Sequence, residues 1–462
     1  MNKLIYFTII VLNLGFATTV KPISTLSMRP FIDNPESYEY TRGRYLIVLG
    51  NDIFTDLISD STLYGDFVKL KKSQGYDVDV KSFSTISETK SVDELRDYIK
   101  DYSEQNLHLE YVLLIGDVSG IAEIGTYRIP SYNEPEQDAT DYPYTFFSDE
   151  EMYNPQFFVG RWSVSDISEF LSLKSRTYNY QSIQPGDNID YLNKALLVAG
   201  SYKTDDGASV PEETWPLTPY WTSLWVQKEL EDKAEMEVDT ALFHINNQIT
   251  TTIDVLNPWN EGIGLVNYRG WGNARGWVKP QFKLEDINSI NNSNALPVVF
   301  SFVCNTGDFG NDINERCFGE KLTTYGNPTT PKGSVAVIGP SDLDTDTRFN
   351  NVLCGQMWDE ILEGRIYELA PILHAGKQAV AKEFEGLEVN SVNGGTMSIP
   401  KFYHHVYSVL GDPSLSMWIG EPDTISHSSI DSELNQSFVS LTATNSDGDP
   451  LQDVVGALLD SN

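Results

Sequence analysis

The chain has 462 residues, of which 40% are hydrophobic and 12% aromatic. It is too apolar to be disordered and too long for one ordinary domain. Sixty-six acidic residues against 32 lysines and arginines give a formal net charge of −34. There is no basic stripe to neutralise phosphates, and nucleic acid is not an expected partner.

Residues 1–20 read as a secretory signal: Met1 to Lys3 open it, Leu4 to Leu14 are almost wholly apolar, and Gly15-Phe16-Ala17 supplies small residues. The run is short for a membrane span, and no later segment reaches that length. A secreted or cell-surface chain is expected. Residues 21–44, with Pro22, Pro30 and Pro35, read as a linker or pro-segment. Regular structure starts at Tyr45–Leu49, a buried strand closed by Gly50. Ser91 to Glu94 form a capping box before a helix with Leu95, Tyr98 and Ile99 on one face. Tyr111–Ile115 and Phe157–Val159 read as further strands. Asp166 caps a helix expected to turn Ile167, Phe170 and Leu171 inward. Strands alternating with helices over 45–185 predict a parallel sheet covered on both faces.

A polar break runs from Gln184 to Asp190, and the alternation restarts over 190–420. Ala195–Ala199, Ile263–Val266, Leu296–Val303 and Val335–Ile338 read as buried strands. Phe349, Val352, Leu353, Met357 and Ile361 mark a helix with Cys354 on its apolar face. From 423 to 462 the composition turns to Ser, Thr and Asn, with a turn at NSDGDPL. This is the expected start of a β-sandwich, with surface attachment through a region beyond it. The predicted class is therefore α/β: two parallel-sheet subdomains with flanking helices, followed by a β-sandwich start.

In parallel α/β sheets, chemistry gathers at the carboxyl ends of strands. Two such ends stand out: Arg269-Gly270-Trp271-Gly272-Asn273, and Cys304-Asn305-Thr306-Gly307-Asp308. A thiol there is a candidate nucleophile, with its own N–H and one from the neighbouring glycine loop binding an oxyanion. The competing reading is a free cysteine that packs in the core. Gly270, Gly272 and Gly276 lack phosphate-loop spacing. Three cysteines make no disulfide framework. Without CxxC or HExxH no zinc site is expected, and no cofactor is required.

From Tyr45 to about Ile419 the chain resembles the gingipain family of secreted bacterial cysteine peptidases. The resemblance is carried by YLIVLG, QGYDVDVKSF, LEYVLLIGDV, FFVGRWS, LVNYRGWG, NSNALPVVFSFVCNTGDF, CFGEKL, GSVAVIGPS and VYSVLGDPSL. It implies a caspase-like fold followed by an immunoglobulin-like module, and a polypeptide substrate or protein ligand. It places the nucleophile on Cys304, an oxyanion N–H on Gly272, and a non-catalytic family cysteine on Cys317. The family's general-base histidine, in a Tyr-x-Gly-His-Gly setting, falls on Trp271. Indole is a hydrogen-bond donor only and cannot take the thiol proton. The acid that orients the histidine falls near Gln156, which carries no charge. Arg269 and Arg275 are candidates to favour the thiolate, and otherwise are solvated or acid-paired arginines. His374, His404 and His405 are candidate substitute bases, and otherwise surface or core residues.

Asp342, Asp344 and Asp346 match the family's specificity loop. They read as lining a pocket for a basic side chain, as ligands of a structural calcium ion, or as a solvated acidic loop. Two functions stand: a cysteine endopeptidase, and a pseudopeptidase that keeps the cleft without turnover. A carbohydrate-binding surface protein has only the C-terminal piece and nine tryptophans in its favour.

Overall fold

The computed structural model describes residues 42–106, 108–200, 218–243, 250–311, 316–427 and 442–451. The predicted signal, most of the linker and His244 lie outside them. Arg42–Pro422 form one compact unit, and the described residues from Asp423 belong to another.

Ten strands of the first unit make one sheet: β1 (Arg44–Leu49), β2 (Asp77–Ser82), β3 (Leu109–Ile115), β4 (Phe158–Trp162), β5 (Lys194–Gly200), β6 (Glu237–Phe243), β7 (Leu265–Arg269), β8 (Val298–Phe302), β9 (Ala336–Pro340) and β10 (Tyr407–Leu410). Their spatial order is β2-β1-β3-β4-β10-β9-β8-β7-β5-β6. The central strands β7, β8 and β9 are buried at every residue, which is why they read as unbroken apolar runs.

β2, β1, β3, β4 and β10 run parallel to one another, and so do β9, β8, β7, β5 and β6. The halves meet antiparallel at β9 and β10, with Val337 opposite Leu410 and Pro340 opposite Tyr407. The two α/β units therefore share a sheet. The carboxyl ends of β7, β8 and β9 lie at the same edge as the starts of β4 and β10.

Flanking helices are α1 (Val92–Gln105), α2 (Ile167–Gln181), α3 (Thr218–Ala234), α4 (Thr252–Glu261), α5 (Phe318–Thr324), α6 (Thr347–Leu362), α7 (Leu369–Glu383) and α8 (Ile399–Val406). Ser91 accepts the Glu94 N–H at 3.3 Å, and Asp166 accepts that of Glu169 at 2.9 Å, so both predicted caps start helices. The inner face of α2 departs from expectation. Phe170 is buried, but Ile167 is exposed and Leu171 half-buried; Leu173, Lys174 and Arg176 complete the buried side. Arg176 reaches the carbonyls of Tyr325, Lys332 and Ser334, so the buried cation is satisfied by backbone rather than by an acid. On α6 Phe349, Leu353, Cys354, Met357 and Ile361 are buried as expected, whereas Val352 is half-buried.

In the second unit, Ser426–His427 pairs antiparallel with Ala443–Thr444, and the Asn445 N–H reaches Asp449 O across the predicted turn. No helix among the described residues is long and apolar enough to cross a membrane.

Candidate active site

β8 delivers Val303 and Cys304 to the sheet edge, where the chain turns sharply. Asn305 takes the left-handed conformation (φ 51°), which asparagine tolerates better than most residues. The turn is fastened to the end of β9. The Asn305 N–H donates to Asp342 O at 2.8 Å, its side-chain amide to Ser341 O at 2.7 Å, and the Gly307 N–H to Pro340 O at 2.9 Å. A Cβ on Gly307 would lie 2.5 Å from Gly339 O, so this approach requires glycine.

Cys304 is buried, with 8% of the residue exposed. Its S–H donates to Thr345 O at 3.7 Å, and the Thr345 hydroxyl donates back to sulfur at 3.8 Å. Burial pushes the thiol up to about 12; Asp342 and Asp344 push the same way, and the Thr345 hydroxyl only partly offsets them. At neutral pH about one molecule in 10⁵ would carry a thiolate.

The neighbouring loop follows β7. The Tyr268 hydroxyl donates to Trp271 O at 2.8 Å and accepts the Trp271 N–H at 3.2 Å. Tyr268 stacks on Trp277 at 4.4 Å, and the Trp277 indole donates to the Ser301 hydroxyl at 3.0 Å. Trp271 is half-buried in this rigid loop. Gly272 packs against Val303; a Cβ there would meet the valine side chain at 3.2 Å. The fold thus brings Gly272 beside the residue that precedes Cys304.

Other predicted residues go elsewhere. Arg269 does not act on Cys304. It is buried, donates to Asn351 and to Thr347 O, and favours the thiolate of Cys354, which burial still holds up at about 11. Arg275 pairs with Glu285 at the surface. The three histidines lie in the core, the second of the two roles open to them. Rings of Tyr142, Tyr153, Phe146 and Phe158 surround His374, His404 and His405, and none has Cys304 as a partner. Gln156 precedes β4 at the same sheet edge; its side chain is exposed and its N–H donates to Thr145 O at 2.8 Å. Cys317 caps α5, buried, with its S–H on Thr306 O at 3.6 Å.

The three loop aspartates do not act alike. Asp346 is the N-cap of α6, accepting the Arg348 N–H at 2.7 Å. Asp342 is fully buried and faces Asp138, whose position in the short strand Gln137–Thr140 gave no linear signal. Both retain a buried carboxyl oxygen without a hydrogen-bond donor, as does Asp344. Burial raises both Asp138 and Asp342; Asp342 raises Asp138 further, whereas the hydrogen bond with Asp138 works against the rise at Asp342, so the pair holds a proton between them. Glu134 is raised to about 7 by burial, then by Asp344. Among the described residues, no group of three or more His, Cys, Asp or Glu is arranged to hold a metal ion. Among the described residues, the arrangement offers a protonated thiol that is hydrogen-bonded to Thr345 and lies near the carboxyls of Asp342 and Asp344.

Comparison with known proteins agrees with this geometry. The model of peptidase family C25 matches residues 38–418. Gingipain R2 and gingipain R1 of Porphyromonas gingivalis are each 24% identical, over 396 and 385 residues. The matches take in 83% and 82% of this chain but 48% and 34% of the relatives, so the chain spans about half or less of their length. The crystal structure of the Arg-specific cysteine proteinase gingipain R has the same fold, with TM-score 0.69 at 21% identity over 85% of this chain and 82% of that one. A complex of P. gingivalis RgpB pro- and mature domains gives 0.70 at 20% identity over 89% and 92%. The motifs around Cys304, the shared sheet and the family match lead to one conclusion: the chain belongs to the gingipain family of cysteine peptidases, peptidase family C25.

Proposed function

We propose that this chain is a pseudopeptidase, a polypeptide-binding member of its family that keeps the cleft and has lost turnover. One observation carries the reading: an indole, Trp271, stands where the family has its base, and the hydrogen-bond partner of the Cys304 thiol is Thr345. Amide cleavage needs a group that takes the thiol proton and returns one to the leaving amine, worth about 10² to 10⁴-fold. The recess of Asp138, Asp342 and Asp344 supports a basic side chain as what is recognised. A solved relative is Arg-specific, and another pairs pro- and mature domains, which favours a protein ligand over a small molecule. The apolar run Leu4–Leu14 supports export.

A slow peptidase is the second reading, favoured by the retained thiol and by Gly272 packed against Val303, the residue before it. Purified chain, Cys304→Ala and Trp271→His are incubated with arginine- and lysine-containing peptides, and binding and cleavage are both measured. The expected result is binding by the unmodified chain and by Cys304→Ala, with cleavage only after Trp271→His. Cysteine-dependent cleavage by the unmodified chain establishes the second reading instead.

A further inference from the structure

Three histidines are buried together away from the thiol: His374 on α7, and His404 and His405 on α8. His374 and His404 lie 6.0 Å apart, edge to face. His404 packs on Tyr153 and Tyr142 at 5.1 and 5.6 Å, with Nδ1 2.8 Å from Pro400 O. His405 packs on Tyr142 and Phe146 at 5.5 and 6.1 Å. His374 meets the Phe158 ring at 5.7 Å and Gln378 at 3.1 Å. Nδ1 of His374, Nε2 of His404 and both ring nitrogens of His405 lack hydrogen-bond partners.

The charged groups that face these rings are lysines, and burial lowers Lys377 to about 7. Lys377 acts on all three, its Nζ donating to His404 O and Tyr407 O at 2.7 Å each, and Lys401 acts on His405. Asp141 lines a cavity of about 40 Å³ with His374 and Lys377, but Arg161 holds it through two hydrogen bonds. The cavity has room for water and gives the rings no anionic partner.

α8 also fastens the recess beside Cys304. The Thr140 hydroxyl donates to His405 O at 2.8 Å, and the Ser341 N–H to Val406 O at 2.9 Å. The Tyr403 hydroxyl accepts the Asp346 N–H at 3.0 Å and donates to Asp346 O at 3.2 Å. These partners flank Asp138, Asp342 and Thr345.

We propose that the His374–His404–His405 cluster is an acid-operated latch: charging its rings loosens α8 and uncovers the Cys304 recess before the rest of the chain unfolds. The proposal rests on the reading of that recess as the binding site. Burial, reinforced by the lysines, holds His374 and His405 down at about 3 and lowers His404 well below its ordinary value. Closed, the rings stay neutral in mild acid; released, they take protons at about 6.5. The closed state is therefore favoured above about 6.5 and loses ground as pH falls from there toward about 3. Each ring that charges on opening multiplies the opening constant by about ten per pH unit in that window.

The test is labelling of the full chain, without peptide, by a dipyridyl disulfide that stays reactive in acid. Each modified cysteine is located by mass spectrometry between neutral pH and about pH 4.5, spanning the imidazole range. The expected result is a Cys304 rate that rises by at least about tenfold per pH unit while Cys317 and Cys354 stay protected. A flat Cys304 rate, or three thiols that become reactive together, overturns the latch. His404→Phe with His405→Phe keeps the ring packing, leaves only His374 to charge and is expected to make the rise shallower by about tenfold per pH unit for each ring removed; an undiminished rise overturns it. If that variant does not fold, the comparison of thiols in the unmodified chain decides. Because no peptide is present, selective labelling in a chain that binds no basic peptide would sink the binding reading and leave the latch standing.

Discussion

A thiol becomes a nucleophile when its surroundings favour the thiolate, and those of Cys304 favour the thiol. Burial is the largest cause and Asp342 adds to it, with no imidazole among its partners in the described residues to compensate. Asp342→Asn removes a negative charge that opposes ionisation. It is expected to lower the Cys304 pKa by up to about one unit, roughly tenfold in alkylation rate at neutral pH. The pH profile of Cys304 alkylation checks this; an unchanged profile shows that the shared proton already neutralises Asp342. Cys304, Trp271 and Gly272 were legible because motifs on two adjacent strand ends carried them. Asp138 and Thr345 were not. Each reaches the site by a contact distant in sequence, and nothing in the linear pattern around Gln137–Thr140 marks a buried acid.

At the scale of elements, the antiparallel seam between β9 and β10 decides the architecture. The buried strands were readable as apolar runs, whereas the edge strands β2 (DVDVKS) and β6 (EVDTALF) alternate polar and apolar residues and gave no such run. Nor could local pattern reveal that β10 inserts between the halves, since that pairing joins residues distant in sequence. Just past β10, Asp412 ties the end of that strand to the first half of the sheet. It is fully buried, 2.5 Å from the buried Lys71 Nζ, and accepts from the hydroxyl of Tyr45 on β1 at 2.7 Å. Lys71→Met leaves this carboxylate buried without its cation and is expected to cost about 3–5 kcal/mol in denaturant unfolding. Adding Asp412→Leu should recover only part of the loss, because Tyr45, Gln181 and Ser414 then lose an acceptor too. A loss below about 1 kcal/mol would mean the pair does not hold that strand end.

At the scale of the molecule, charge sets how a ligand arrives. The chain carries a net charge of −34, while the carboxyls beside Cys304 are partly protonated, so the wider charge adds a long-range part to the attraction of a basic ligand. The long-range part is screened within about 10 Å at 0.1 M salt, whereas a side chain seated among Asp138, Asp342 and Asp344 is screened much less. Association of an arginine-containing peptide is therefore expected to slow by about tenfold or more between roughly 0.01 M and 0.3 M salt, with dissociation nearly constant. Stopped-flow or surface-binding kinetics at several salt concentrations separate the two rates. A salt dependence that falls mainly on dissociation would place the peptide on the exposed acidic surface and not in the recess beside Cys304.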